Sequence, residues 1–317
     1  MAKRSTICAG IDTGKHKLDV AIDERPEQLQ VDNTPNGHKA LLAWLRQHRV
    51  KRIGIEASGG YEQAVVATLR RAGFIVIVFQ PAQVRAYAKF HLKLAKNDKI
   101  DAALIALCTA ATKTIHAPPD PRLEAFAGHL TMLEQITEDI ARIKTRRESC
   151  RDPRLHGHWD NEIARLKALL REEFKLLLVA IRVHRDLAER LDLIASVEGV
   201  GPRTAVAILV RMPEIGSLSR EQAAALAGLA PYDDDSGGRA GQRHIAGGRE
   251  RLRTSLYAAS LPAAFHWNPQ LIALYQRLTA KGKSHKAALV ACARKLLAFV
   301  NTVVARGTPW VGKTAQI

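Results

Sequence analysis

Cysteine is scarce in this chain and scattered. Cys8, Cys108, Cys150 and Cys292 form no CxxC pair and have no cysteine or histidine at ligand spacing nearby. Neither a disulfide framework nor a zinc site is expected, and a reduced, cytoplasmic, bacterial-type setting fits best. Aromatic residues make up only 5% of the chain, which leaves little for stacking bases along an extended surface. No apolar run approaches the roughly 20 residues of a membrane-spanning helix, and the start MAKRSTICAGID lacks a secretory apolar stretch, so no membrane partner is expected. Acidic charge is also short: 31 Asp and Glu stand against 48 Lys and Arg, a net charge of +17 over 317 residues. Such an excess points to polyanionic partners, and the length accommodates two domains with real cores.

Among so few acids, four are placed informatively. Asp12 in GIDTGKHKLDVAI and Glu56 in RIGIEASGGYE each close a short apolar run that reads as a β-strand. Asp98 and Asp101 in KNDKIDAALIA lie three apart in a stretch of helical periodicity and so share one face. Carboxylates gathered together repel unless cations lie between them, and hard oxygen ligands suit Mg²⁺ (or Mn²⁺). Two such ions can clamp the attacking and leaving oxygens of a phosphoryl transfer. The pattern therefore predicts metal-dependent chemistry on nucleic acid.

The surrounding elements read as one α/β unit. Two strands run from Thr6 to Val20 and a third covers Leu29–Asp32. Asn36 is expected to cap a helix reaching His48. A strand over Lys51–Glu56, a helix over Tyr61–Ala72, a fully buried strand FIVIVFQ, a helix from Ala82 and one from Asp98 to Thr112 follow. Three early strands and then alternating helix and strand is the order of the RNase H-like fold. With GIDTGKHKLDVAI, IEASGGYE and KNDKIDA at these places, the segment resembles the RuvC-like domain of the DEDD transposases, the insertion-sequence-110 family.

Beyond HAPPDPR, apolar residues at three-four spacing (Leu133, Ile136, Ile140, Ile143) give a helix over Leu123–Glu148. After the break CRDPRLHGHWD the pattern resumes with Ile163, Leu166, Leu170, Phe174 and Leu177. The two helices form an antiparallel coiled-coil hairpin or pair with another subunit. The resemblance favours a homo-oligomer, a dimer or tetramer. The expected domains are 1–118 RuvC-like, 119–190 helical hairpin, and 191–317 a mainly α-helical C-terminal transposase domain.

IASVEGVGPRTAVA reads as a helix-hairpin-helix element, with Gly199 and Gly201 forming the turn and Arg203 beside free helix N–H groups that can hold a phosphate. Farther on, Ser236-Gly237-Gly238 lies in a glycine-rich basic loop. Arg239, Arg243, Arg249, Arg251 and Arg253 are candidates to hold phosphodiesters there. By composition SGG is most simply a flexible turn. This stretch resembles the second conserved domain of the same family, with a GLAP-type turn, SGG, a basic loop and a helix beginning LR. The resemblance implies that Ser236 is the nucleophile on DNA, forming a phosphoserine. The family's usual lysine before the glycine is replaced by Ala246, and Asp233, Asp234 and Asp235 have no assigned role.

The resemblance implies a recombinase that inserts and excises a mobile element, guided by an element-encoded RNA that pairs with donor and target DNA. Its site would be composite, with tetrad and serine in different domains. Two other readings stand beside it. A metal nuclease of the Holliday-junction-resolving kind would use the tetrad on water, with Ser236 structural. A non-enzymatic nucleic-acid-binding protein would use neither site. A proofreading-type exonuclease normally needs a second acid on the first strand, where Gly14 stands instead.

Overall fold

A computed structural model describes residues 6–92, 98–115, 120–232 and 243–312, with the backbone alone for 98–100. The chain divides into two compact units, 1–118 and 119–317.

The first unit holds β1 (Cys8–Thr13), β2 (Lys17–Ile22), β3 (Gln28–Asp32), α1 (Pro35–Gln47), β4 (Arg52–Glu56), α2 (Gln63–Arg71), β5 (Ile75–Phe79), α3 (Pro81–Phe90) and α4 (Asp98–Ala111). Its sheet runs β3-β2-β1-β4-β5. The β1–β2 and β2–β3 pairs are antiparallel, and β1–β4 and β4–β5 are parallel. This mixed α/β arrangement fits the expected RNase H-like domain. Alternation along the strands separates two faces. Ala9, Ile11, Leu18, Ile53 and Ile55 pack with Leu41 and Leu45 of α1 and Val65 and Leu69 of α2. The opposite face carries Gly10 and Gly54, and α4 lies on it. A side chain at Gly10 would collide with backbone of Ala102 and Ala106, and one at Gly54 with the Thr109 hydroxyl. These two glycines let a helix rest directly on the sheet.

Three expectations need correction. Thr34, not Asn36, caps α1: its hydroxyl accepts from the Gly37 N–H, and Pro35 follows at the first helical position. The strand in FIVIVFQ is not fully buried, because β5 forms the sheet edge and Ile75 is 44% exposed. The third concerns apolar runs and is met in the second unit.

That unit opens with a hairpin of α5 (Pro121–Ser149) and α6 (His156–Arg182). The Arg147–Asp160 ion pair and the His129–Glu173 contact set them antiparallel. Their inner residues, Leu130, Leu133, Ile136, Ile163, Leu166 and Leu170, belong to one core that also includes the C-terminal helices. The expected boundary at 190/191 therefore falls inside a packed unit.

Next come α7 (Arg185–Ala195), α8 (Pro202–Arg211), α9 (Arg220–Leu226), a ribbon of β6 (Pro231–Tyr232) with β7 (His244–Ile245), α10 (Glu250–Pro262), a π-helical turn Ala263–Trp267, α11 (Pro269–Ala280) and α12 (His285–Arg306). By length and composition α12 is apolar enough to cross a membrane, contrary to the reading of the sequence. Here Leu289, Cys292, Ala293, Leu296, Leu297 and Val300 are buried in the core of the unit.

Candidate active site

Strand register brings two acids of the first unit together. The last parallel pair of β1 and β4 is Ile11 with Ile55, so Asp12 and Glu56 follow side by side at the carboxyl ends of adjacent strands. Both fall on the face that α4 covers, because they alternate with Gly10 and Gly54. Ala102, whose carbonyl meets the Gly10 position, follows Asp101 directly, which sets Asp101 over the same region. Asp98 opens α4, and its side chain lies outside the described residues. Among the described residues no three His, Cys, Asp or Glu groups are already gathered as a metal cage. The donor chemistry is oxygen-only on adjacent strand ends, which fits a hard divalent cation shared with substrate phosphate rather than an all-protein cage.

Two features here escaped the sequence reading. Asp19 pairs with Asp12 across β1 and β2 and is 9% exposed. Gln30 of β3, next in the same row, donates its amide to Asp19 Oδ1 at 2.8 Å and accepts from Lys17 Nζ at 3.2 Å. The row across the sheet is thus Gln30, Asp19, Asp12, Glu56. Alternation from Asp12 through the turn to Asp19 could have signalled it.

The second feature is Asn33. Its side-chain amide donates to the Gly14 carbonyl at 3.1 Å and the Tyr61 carbonyl at 3.0 Å, tying the loop after Asp12 to the loop after Glu56. His38 Nε2 lies 2.9 Å from the Asn33 carbonyl oxygen. Burial holds His38 below the usual histidine pKa, so the neutral ring donates this bond. The loop after Glu56 is shaped from within by the Glu62 carboxylate, which accepts from the Ser58 N–H, the Ser58 hydroxyl and the Gly60 N–H at 2.9–3.0 Å. Burial pushes the Glu62 pKa up, but these hydrogen bonds outweigh it and hold the group below the ordinary value.

In the second unit Ser236, Gly237, Gly238 and Arg239 lie outside the described residues, as do Asp233, Asp234 and Asp235. The ribbon bounds that stretch on both sides, pairing Tyr232 with His244. Downstream, the arginines have internal partners. Arg249 grips Glu214 through two hydrogen bonds of 2.6 and 2.8 Å, and that contact above all holds Glu214 at a low pKa. Arg251 reaches Glu134 of α5 at 2.9 Å. Arg253 donates to the Gly247 carbonyl at 2.7 Å. Gly228 and Gly248 both have positive φ and touch backbone to backbone, so the GLAP and AGG turns are glycine-bearing because they pack on one another.

Gly199, at φ +96°, turns the chain between α7 and α8. Gly201 has an ordinary φ of −75° and caps α8 without a side-chain bond. Arg203 sits over the Phe174 ring, 5.7 Å from its centre. Arg243 flanks the ribbon.

Comparison with known proteins agrees with this layout. A DEDD family described as a transposase of the IS110 type matches residues 9–171, and the Transposase IS116/IS110/IS902 family matches residues 191–276. The pilin gene-inverting protein of Moraxella bovis is 25% identical over 95% of this chain and 96% of its own length. That of Moraxella lacunata matches to the same extent. An uncharacterized 43.6 kDa protein of insertion element IS110 from Streptomyces coelicolor is 31% identical over 36% of this chain and 29% of its own. This chain belongs to the IS110 family of DEDD transposases, enzymes that recombine DNA.

Proposed function

We propose that this protein inserts and excises a mobile DNA element by strand cleavage and exchange through a phosphoserine, directed by an element-encoded guide RNA. The observation that carries the reading is the side-by-side placement of Asp12 and Glu56 on the sheet face covered by α4. Asp12, Glu56, Asp98 and Asp101 hold Mg²⁺ or Mn²⁺; family membership implies the divalent metal, and the ion is our assignment. Bound there, it would polarise the scissile phosphate and offset charge on the departing oxygen.

Ser236 Oγ attacks phosphorus as the P–O3′ bond breaks. The serine proton is lost and the departing 3′ oxygen gains one. A 3′-hydroxyl of a second strand then attacks the phosphoserine and releases the serine, so two transesterifications conserve the bond energy. The α7–α8 turn, read as helix-hairpin-helix, offers uncapped amides of α8 to a backbone phosphate. Gly237, Gly238, Arg239 and Arg243 bind the nucleic-acid backbone, while Arg249, Arg251 and Arg253 support the surrounding fold through Glu214, Glu134 and the Gly247 carbonyl.

The protein works as a homo-oligomer. Support comes from the outer face of α6 and the residue that ends it, where Leu169, Leu176, Val179 and the capping Val183 are 37%, 57%, 56% and 73% exposed at heptad spacing. A second copy laid on this stripe covers it.

The test incubates protein, Mg²⁺, labelled element-end DNA and its flanking transcript, followed by denaturing gels with and without protease. A protease-sensitive DNA adduct that disappears in Ser236→Ala and in Asp12→Asn is expected. Cleavage without adduct that survives Ser236→Ala assigns the acids to a hydrolytic nuclease instead.

A further inference from the structure

Many arginines of the second unit lie within 4 Å of a carboxylate, among them Arg122, Arg147, Arg182, Arg211, Arg249 and Arg251. Four cations of this unit converge in one place. Arg220 of α9, Arg277 of α11 and Arg294 and Lys295 of α12 line one groove of about 1020 Å³. All four are exposed, and among the described residues Arg220 has an electrostatic interaction with the Glu221 carboxylate. Lys295 instead lies over the Phe299 ring, 5.0 Å from its centre.

The walls between them are small, with Ala273, Ala291 and Ala298 on the helix faces, so a bulky polyanion can approach the backbone closely. One acid, Glu221, also lines the groove, and its carboxylate accepts from the Ser219 hydroxyl at 3.0 Å. With one acid set against four cations, the like charges on three converging helices repel one another, a cost that a row of phosphates removes.

We infer that this groove binds the phosphodiester backbone of DNA, through Arg220, Arg277, Arg294 and Lys295. DNA rather than RNA is the occupant because Pro231 on the groove wall is joined, through Tyr232, to the stretch carrying Ser236. The choice of DNA rests on the reading of Ser236 as nucleophile. The contacts are to backbone and carry no base sequence, so the groove contributes affinity and register rather than target choice.

The test measures fluorescence anisotropy of labelled element-end duplex with the full chain, without divalent metal, across a salt series. In the combined Arg220→Gln, Arg277→Gln, Arg294→Gln, Lys295→Gln variant, the slope of log affinity against log salt falls by about 3 to 4, near 0.9 for each phosphate no longer neutralised. Ala273→Glu, which removes no cation and sits on an exposed position, weakens DNA binding at least about tenfold, and Ala273→Gln much less; it carries the test if the combined variant fails to fold.

A charge-matched control on the hairpin, Lys144→Gln, Arg146→Gln, Arg171→Gln and Lys175→Gln, changes the slope by less. An unchanged slope and affinity in the groove variants, an equal loss in the control, or a loss confined to a single-stranded RNA probe each overturns the inference. Ser236→Ala is the independent arm and binds DNA normally. An adduct that persisted in it would remove the nucleophile while leaving the measured groove binding in place.

Discussion

Asn33 illustrates how much of the site depends on residues that touch no substrate. Its amide joins the loops that follow Asp12 and Glu56. Loss of such a support typically costs about 10–100-fold in metal affinity. Asn33→Ala is therefore expected to weaken Mn²⁺ binding, read by calorimetry without DNA, by a factor in that range, while Asn33→Asp keeps His38 as a donor but no longer donates to either carbonyl. An unchanged affinity in Asn33→Ala removes the residue from the site. Glu62 supplies a pH-dependent support. Its folded pKa lies below the ordinary 4.5, so its contribution is fully present above that value and is lost as pH falls through the folded pKa. Glu62→Gln should lower stability at pH 7 by about 1 kcal/mol, its half-exposure limiting the effect. Melting curves of the two proteins converge on acidification; a gap that persists at low pH contradicts the assignment.

Helix α4 is the element on which the acid arrangement turns, because it carries two of the four acids and lies directly on two glycines. Gly54→Val would drive a side chain into Thr109 and Phe79 and should cost about 1–3 kcal/mol or more. Thermal unfolding checks the cost, and Mn²⁺ binding should fall with it. An unperturbed melting point means that α4 does not pack as described. In the second unit, Glu134 takes Arg211 and Arg251 together, with the Arg211 and Glu134 side chains only 16% and 19% exposed. Glu134→Leu strands Arg211 and leaves Arg251 only Glu138, at 3.5 Å, and should destabilise by about 3 kcal/mol in chemical denaturation.

The sequence was readable where a local pattern decides the outcome. Short apolar runs located β1 and β2, which are buried on both faces, and three-four spacing located α5 and α6, because burial follows directly from those patterns. It was less readable where partners come from afar. Arg249 and Arg251 looked like phosphate ligands because nothing local announces Glu214 or Glu134, 35 and 117 residues away. The cap of α1 was misplaced by two residues because Thr34 competes with Asn36 and Pro35 tips the choice. The heptad stripe on α6 was hidden by the stronger inner stripe of the same helix. Asp19 was passed over because an acid inside a strand is ordinarily solvent-facing, and only the row reveals its neighbours.

At the scale of the molecule, a basic chain is built from two compact units, one bearing the acids and the other the serine segment. The exposed α6 stripe makes assembly testable: Leu176→Glu with Val183→Glu should shift the molar mass from light scattering to a smaller species. An unchanged mass excludes this stripe as the contact. The central claim is covalent catalysis by Ser236, and the most direct measurement is peptide mapping of the trapped DNA adduct by mass spectrometry, alongside cleavage in heavy-oxygen water. The account predicts a nucleotide remnant on the peptide containing Ser236 and no heavy oxygen in the rejoined strand. Free cleaved ends that have taken up heavy oxygen, with Ser236 unmodified, would contradict it.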